Sequence, residues 1–161
     1  MINISDKIFI GTESDCSFGI SNGLAMVHAC KHPCHTKAVG YKGSLPKSHP
    51  YYLILEKPNH LFLNMVDMEQ ELLPEFANPI MQAALNFIER YIKDHQIVIH
   101  CNQGLSRSPS IALVYLANKG MIDNNNINEA VKAFTKLYPY YRPASGILKY
   151  MAHNWNYLMK L

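Results

Sequence analysis

The sequence predicts an α/β domain of three layers, with a central mostly parallel or mixed sheet of about five strands flanked by helices. Three observations carry this expectation. Short apolar, β-branched runs alternate with segments of helical periodicity through the first two thirds of the chain. One of them, Ile97-Val98-Ile99, has no polar break, which is how a strand buried on both faces of a parallel sheet reads. The last third holds helix-like segments only. With 161 residues the chain has the length of one domain with a full core, and the expected domain spans residues 1–161.

Taken in order, residues 7–12 read as a strand closed by Gly11, and residues 24–29 as a second. Residues 14–23 between them read as a turn or short helix. Residues 31–50 hold Pro33, Gly40, Gly43, Pro46 and Pro50 among polar residues and read as a long loop. Residues 51–56 and 60–66 are two further strands around the turn Lys57-Pro58-Asn59. From 78 to 94 the apolar positions Ile80, Met81, Ala84, Leu85, Phe87 and Ile88 recur at helical spacing, with Pro79 in the first turn. Residues 96–100 form the central strand. Helices are expected over 108–118, stopped by Lys119-Gly120, then over 128–137 and 144–158.

The stretch that carries chemistry is His100-Cys101-Asn102-Gln103-Gly104-Leu105-Ser106-Arg107-Ser108. It joins the end of the central strand to the start of a helix. Gly104 permits a left-handed or crowded backbone, and Ser106, Ser108 and Pro109 suit a helix start. Such a loop turns several backbone N–H groups into one concavity at the positive end of a helix dipole, which is a site for an anion. The same N–H groups favour the thiolate of Cys101 at the loop entrance. Arg107 offers a planar fork that matches two phosphate oxygens. A thiolate at the floor and a guanidinium at the wall suit in-line attack on phosphorus.

This string resembles the Cys-x5-Arg-Ser/Thr phosphate loop of the cysteine-dependent protein phosphatases, and its His-Cys-x-x-Gly-x-Ser-Arg-Ser form resembles the dual-specificity branch. The resemblance implies a protein tyrosine phosphatase-like fold and hydrolysis of phosphotyrosine and phosphoserine or phosphothreonine through a phosphocysteine on Cys101. It implies Arg107, with the loop Asn102, Gln103, Gly104, Leu105 and Ser106, as the phosphate-binding group, and no metal or cofactor. It implies that Ser108 donates a hydrogen bond to the departing thiolate, a role compatible with capping the helix. His100, one step from a floor cysteine, should point away from substrate and order the loop from behind.

The leaving oxygen needs a proton, and Asp67 is the expected general acid and later base. It ends the strand at 60–66, at the sheet edge where the phosphate would sit, 34 residues before Cys101, a spacing and setting similar to the family's acid. Glu69 and Glu71 are the alternatives, further along the same loop. Gln103 stands where the dual-specificity pattern has a small residue, and Arg142-Pro143-Ala144-Ser145 only partly resembles the Pro-Asn step before the family's last helix.

Charge and composition narrow the partners. Fifteen basic against 12 acidic residues give +3, with no basic block of the kind nucleic-acid arms carry. There is no apolar run of membrane-spanning length and no signal-like segment, so a cytoplasmic enzyme without membrane or nucleic-acid partners is expected, acting on a phosphorylated protein or peptide; oligomeric state is not legible. The loop interior holds no Lys or His, unlike many phosphoinositide phosphatases of this superfamily. An RNA 5′-phosphatase and a phosphopeptide-binding module of the same fold are the alternatives.

Residues 28–35 hold His28, Cys30, His32, Cys34 and His35. Cys-x3-Cys is not a strong zinc spacing and no second cysteine pair follows, so no metal is expected there. Cys30 or Cys34 is instead a candidate disulfide partner for an oxidised Cys101. Tyr138, Tyr140 and Tyr141 read as core and rim packing.

Overall fold

A computed structural model describes residues 1–19 and 23–161. Six strands form one mixed sheet: β1 (Ile2–Ser5), β2 (Ile8–Gly11), β3 (Leu24–His28), β4 (Ile54–Lys57), β5 (His60–Leu63) and β6 (Gln96–His100), in the order β1-β2-β6-β3-β5-β4. The inner strands β2, β6, β3 and β5 run parallel, and the edges β1 and β4 pair antiparallel. The expected three-layer α/β class with a mixed sheet is found, with six strands rather than about five. β1 is the addition. It has one buried residue, Ile4, and a shifted register against β2, so four residues with so little alternation carry no strand signal.

Alternate residues along each strand divide the two faces. Ala25, Val27, Leu61, Leu63, Ile97 and Ile99 enter the large core under the helices, while Phe62 joins Leu55, Cys30 and Cys34 in a separate small cluster. The helices are α1 (Thr36–Val39), α2 (Pro74–Tyr91), α3 (Arg107–Asn118), α4 (Ile127–Leu137), α5 (Ser145–His153) and α6 (Trp155–Leu158). α2 and α3 lie against the sheet, and α4 packs on α3. α3 is buried along its whole length from Arg107 to Ala117, because sheet and helices enclose it on all sides. None of the described helices is long and apolar enough to cross a membrane.

Several boundaries differ from expectation for local reasons. The stretch 31–50 is not all loop: Lys31–His35 forms a helical turn that runs into α1, which Gly40 ends in a left-handed conformation at φ 90°. α2 begins with Pro74 at its first position, so Pro79 lies inside the helix rather than in its first turn. Residues 51–53 are turn rather than strand, and β5 stops at Leu63. The expected helix over 144–158 breaks at Asn154, whose side chain and backbone N–H both donate to the Tyr150 carbonyl. In α4, the Asn126 side chain accepts from the Glu129 N–H and caps the helix. A short helical turn at Glu13–Asp15 fits the expectation for 14–23, and Ile20, Ser21 and Asn22 lie outside the described residues.

Candidate active site

The loop between β6 and α3 is shaped by where its carbonyls go. The Asn102 carbonyl accepts from Glu13 N–H, Gly104 from the Tyr138 hydroxyl, Leu105 from Arg142 N–H and Ser106 from Ser110 N–H. A planar trans peptide sets its N–H opposite its C=O. The N–H groups of Gln103, Leu105, Ser106 and Arg107 therefore turn away from those partners and towards the inside of the loop. Gly104 takes φ 71°, and a Cβ there would crowd the Gly11 carbonyl at 3.0 Å. This is the left-handed, close-packed position that requires glycine.

Cys101 lies at the floor, 1% exposed. Its Sγ accepts from Gly104 N–H at 3.3 Å and from Ser108 Oγ at 3.2 Å. Ser108 thus reaches the thiol rather than capping α3, whose cap position is Ser106. Arg107 donates through Nε to Asp67 Oδ2 at 3.2 Å, through Nη1 to the Met65 carbonyl at 3.2 Å and through Nη2 to Asn102 Oδ1 at 2.8 Å. Ser106 Oγ donates to Asp67 Oδ1 at 2.6 Å and accepts from Ala144 N–H. Asp67, Cys101, Gln103, Arg107, Arg142 and Ala144 are among the residues around a cavity of about 470 Å³, with Gln103 exposed at its rim. Glu71 pairs instead with His153 at 2.7 Å, and neither it nor Glu69 lines this cavity.

The sequence reading did not find Arg142, Ala144 or Gly146. Arg142 is exposed and brings a second cation to the cavity wall, while Ala144 holds Ser106. Gly146 clamps the loop that follows Asp67: its N–H donates to the Met68 carbonyl and its carbonyl accepts from Leu72 N–H. A Cβ at Gly146 would overlap the Gln70 and Met68 carbonyl oxygens. Gly146→Ala should therefore cost about 1–3 kcal/mol of stability. A thermal melt alongside turnover checks this, and the Asp67 loop should lose activity with it.

His100 points to the opposite face from Cys101, and its Nε2 lies 2.8 Å from His28 Nδ1. The residues 28–35 do not act as one group. His32 and His35 bond Thr36 and Tyr41, while His28 and Cys34 turn towards His100 and Cys16. The Cys34 thiol faces Cys16 at 3.4 Å, and all four cysteines are unpaired thiols. The Cys34 hydrogen bond holds Cys16 well below the usual thiol range and pushes Cys34 up. Burial lowers His28 to about 4.

No protein-family model matches the chain, and no curated protein matches it by sequence. Solved structures do. Human DUSP28 superposes with TM-score 0.60 at 15% identity, over 99% of this chain and 98% of that one. Human tyrosine phosphatase-like serine/threonine/tyrosine-interacting protein superposes with TM-score 0.64 at 15% identity, over 99% and 97%. PTPMT1 in complex with PI(5)P superposes with TM-score 0.55 at 19% identity, over 84% and 78%. These superpositions over nearly the whole chain give it the protein tyrosine phosphatase-like fold found in dual-specificity phosphatases.

Proposed function

We propose that residues 1–161 are one catalytic domain, a cysteine-dependent protein phosphatase that hydrolyses phosphotyrosine and phosphoserine or phosphothreonine monoesters. The observation that carries this reading is the pair of hydrogen bonds that Gly104 N–H and Ser108 Oγ donate to Cys101 Sγ, in a cavity that also holds Arg107 and Asp67. In this reading the inward N–H groups and Arg107 take the equatorial phosphate oxygens, and Arg107 gives up Asp67, which takes a proton from solvent, as phosphate enters. Sγ attacks phosphorus in line while Asp67 passes its proton to the leaving oxygen. Asp67, now a carboxylate, then takes a proton from the water that displaces Sγ from phosphorus, releasing phosphate. Four unpaired thiols, one of them the nucleophile, suit a reducing, cytoplasmic compartment.

Ser108→Ala removes one donor to the departing thiolate. A hydrogen bond to a charged group is worth about 1.5–3 kcal/mol, so turnover should fall about 10- to 100-fold. Accumulation of phosphoenzyme in this variant, seen by rapid quench, separates the role from helix capping.

Hydrolysis of a small aryl phosphate by the native chain, without added metal, tests the proposal. Turnover supports it, and phosphopeptide against 5′-triphosphate RNA as substrates separates protein from RNA chemistry. A native chain that binds phosphopeptide without turning it over is a binding module instead.

A further inference from the structure

Outside the phosphate loop, four side chains from four segments converge on the far face of the sheet. Cys16 follows the Glu13–Asp15 turn, His28 ends β3, Cys34 lies in the Lys31–His35 turn and His100 ends β6. His28 and His100 are registered neighbours on adjacent parallel strands, which puts their rings on one face. One ligand atom from each residue lies within 4.8 Å of all the others. Cys16 Sγ is 3.6 Å from His28 Nδ1 and 3.4 Å from Cys34 Sγ, and Cys34 Sγ is 3.8 Å from His100 Nε2.

Four of the six edges of this group are close to those of a tetrahedral metal centre, and the other two lie within 4.8 Å. A zinc ion with two thiolate and two imidazole ligands spaces them by about 3.8 Å between sulfurs, about 3.5 Å between sulfur and nitrogen and about 3.3 Å between nitrogens. Three measured edges agree to within about 0.4 Å. The fourth, His28 to His100 at 2.8 Å, has to open by about 0.5 Å.

The surroundings set the right form of His28. Its Nε2 lies 2.9 Å from His60 Nδ1, and His60 Nε2 lies 3.2 Å from the Gly19 carbonyl. A carbonyl only accepts, so His60 donates through Nε2 and accepts at Nδ1. His28 must then donate through Nε2, which leaves the lone pair of Nδ1 aimed at the two sulfurs and His100. This is the outer support that metal-bound histidines use. Phe62 and Phe18 stack on the His28 ring at 4.2 and 5.5 Å. Cys34, His28 and His100 have no exposed surface and Cys16 is half-buried, and two thiolates cancel the charge of a dication, so the assembly would be neutral.

We propose that Cys16, His28, Cys34 and His100 bind one zinc ion, a structural site directly behind the phosphate loop. Sulfur and imidazole donors in tetrahedral array select zinc over magnesium or calcium. Each thiol that enters as S–H releases its proton to solvent as the S–Zn bond forms. The ion ties the segment at Cys16 and the turn at Cys34 to the ends of β3 and β6, and so fixes the backbone one residue before Cys101. This assignment does not depend on the catalytic reading.

The test uses the full chain carrying Cys101→Ser, so that the loop thiol holds no metal. Elemental analysis of protein purified without chelator should find about one zinc per chain. Exchange with cobalt should give the visible bands of a tetrahedral ion and charge transfer from two thiolates. Cys16→Ser and His28→Gln should lose the metal, and Cys30→Ser, which changes a buried thiol outside the four, should keep it. A strong chelator should lower the melting temperature, with recovery on adding zinc and not magnesium. A chain that stays metal-free after refolding with equimolar zinc overturns the proposal. So does a Cys16–Cys34 disulfide in freshly purified protein, or a cobalt spectrum of the unsubstituted four without thiolate bands, a readout that holds even if the variants fail to fold.

Discussion

Cys101→Ser is expected to lower phosphomonoester hydrolysis at least about 10,000-fold while leaving phosphate affinity largely intact. The loss follows from the site's division of labour. In the proposed mechanism affinity comes from the inward N–H groups of Gln103, Leu105, Ser106 and Arg107 and from the guanidinium, none of which uses the sulfur. Attack uses the sulfur alone. A serine hydroxyl at the same place keeps the bonds with Gly104 and Ser108 but is a far weaker nucleophile, since no base stands beside it to take its proton. Steady-state kinetics and equilibrium binding of a phosphopeptide to the same variant separate the two effects. A serine variant that keeps its turnover would mean that the chemistry lies elsewhere.

Asp67→Asn is the second large effect, a fall of about 100- to 10,000-fold in turnover. The loss should depend on the leaving group. An aryl phosphate with an acidic phenol needs little help from a proton and should suffer least, whereas phosphoserine should suffer most. The neutral amide also loses the ion pair with Arg107, so substrate binding should hold or tighten as kcat falls. Glu69 and Glu71 variants serve as the comparison. Glu71 is held by His153 away from the cavity, and its replacement should leave turnover within a few fold.

What could be read from the sequence was what lies close along the chain. The loop from Cys101 to Ser108 is contiguous, so one stretch carries the turn glycine, the thiol, the guanidinium and the helix start together. Asp67 was expected at the end of a strand over 60–66, but β5 stops at Leu63 and the loop beyond it carries Asp67 to the cavity, where Ser106 and Arg107 hold its carboxylate. The rest depends on contacts between distant segments. Arg142 and Ala144 meet the loop only because α4 and α5 return over it, through the Tyr138 and Arg142 bonds to Gly104 and Leu105. Gly146 had no local signal, since its need for a bare Cα arises from the Met68 and Gln70 carbonyls. The Cys16, His28, Cys34 and His100 group was hidden for the same reason. A spacing rule applied to residues 28–35 weighed the wrong partners, because parallel register, not sequence proximity, brings His100 beside His28. Pro79 misled in the opposite direction, by marking a helix start that Pro74 supplies five residues earlier.

If phosphate passes through the sulfur of Cys101, a phosphocysteine forms that can be trapped. The native chain is mixed with a ³²P-labelled phosphopeptide, quenched in the millisecond range with denaturant, digested and mapped by mass spectrometry. Label is expected on the peptide that contains Cys101, with more of it in Ser108→Ala and none in Cys101→Ser. Turnover with no labelled peptide, or label on any other residue, would contradict transfer through Cys101.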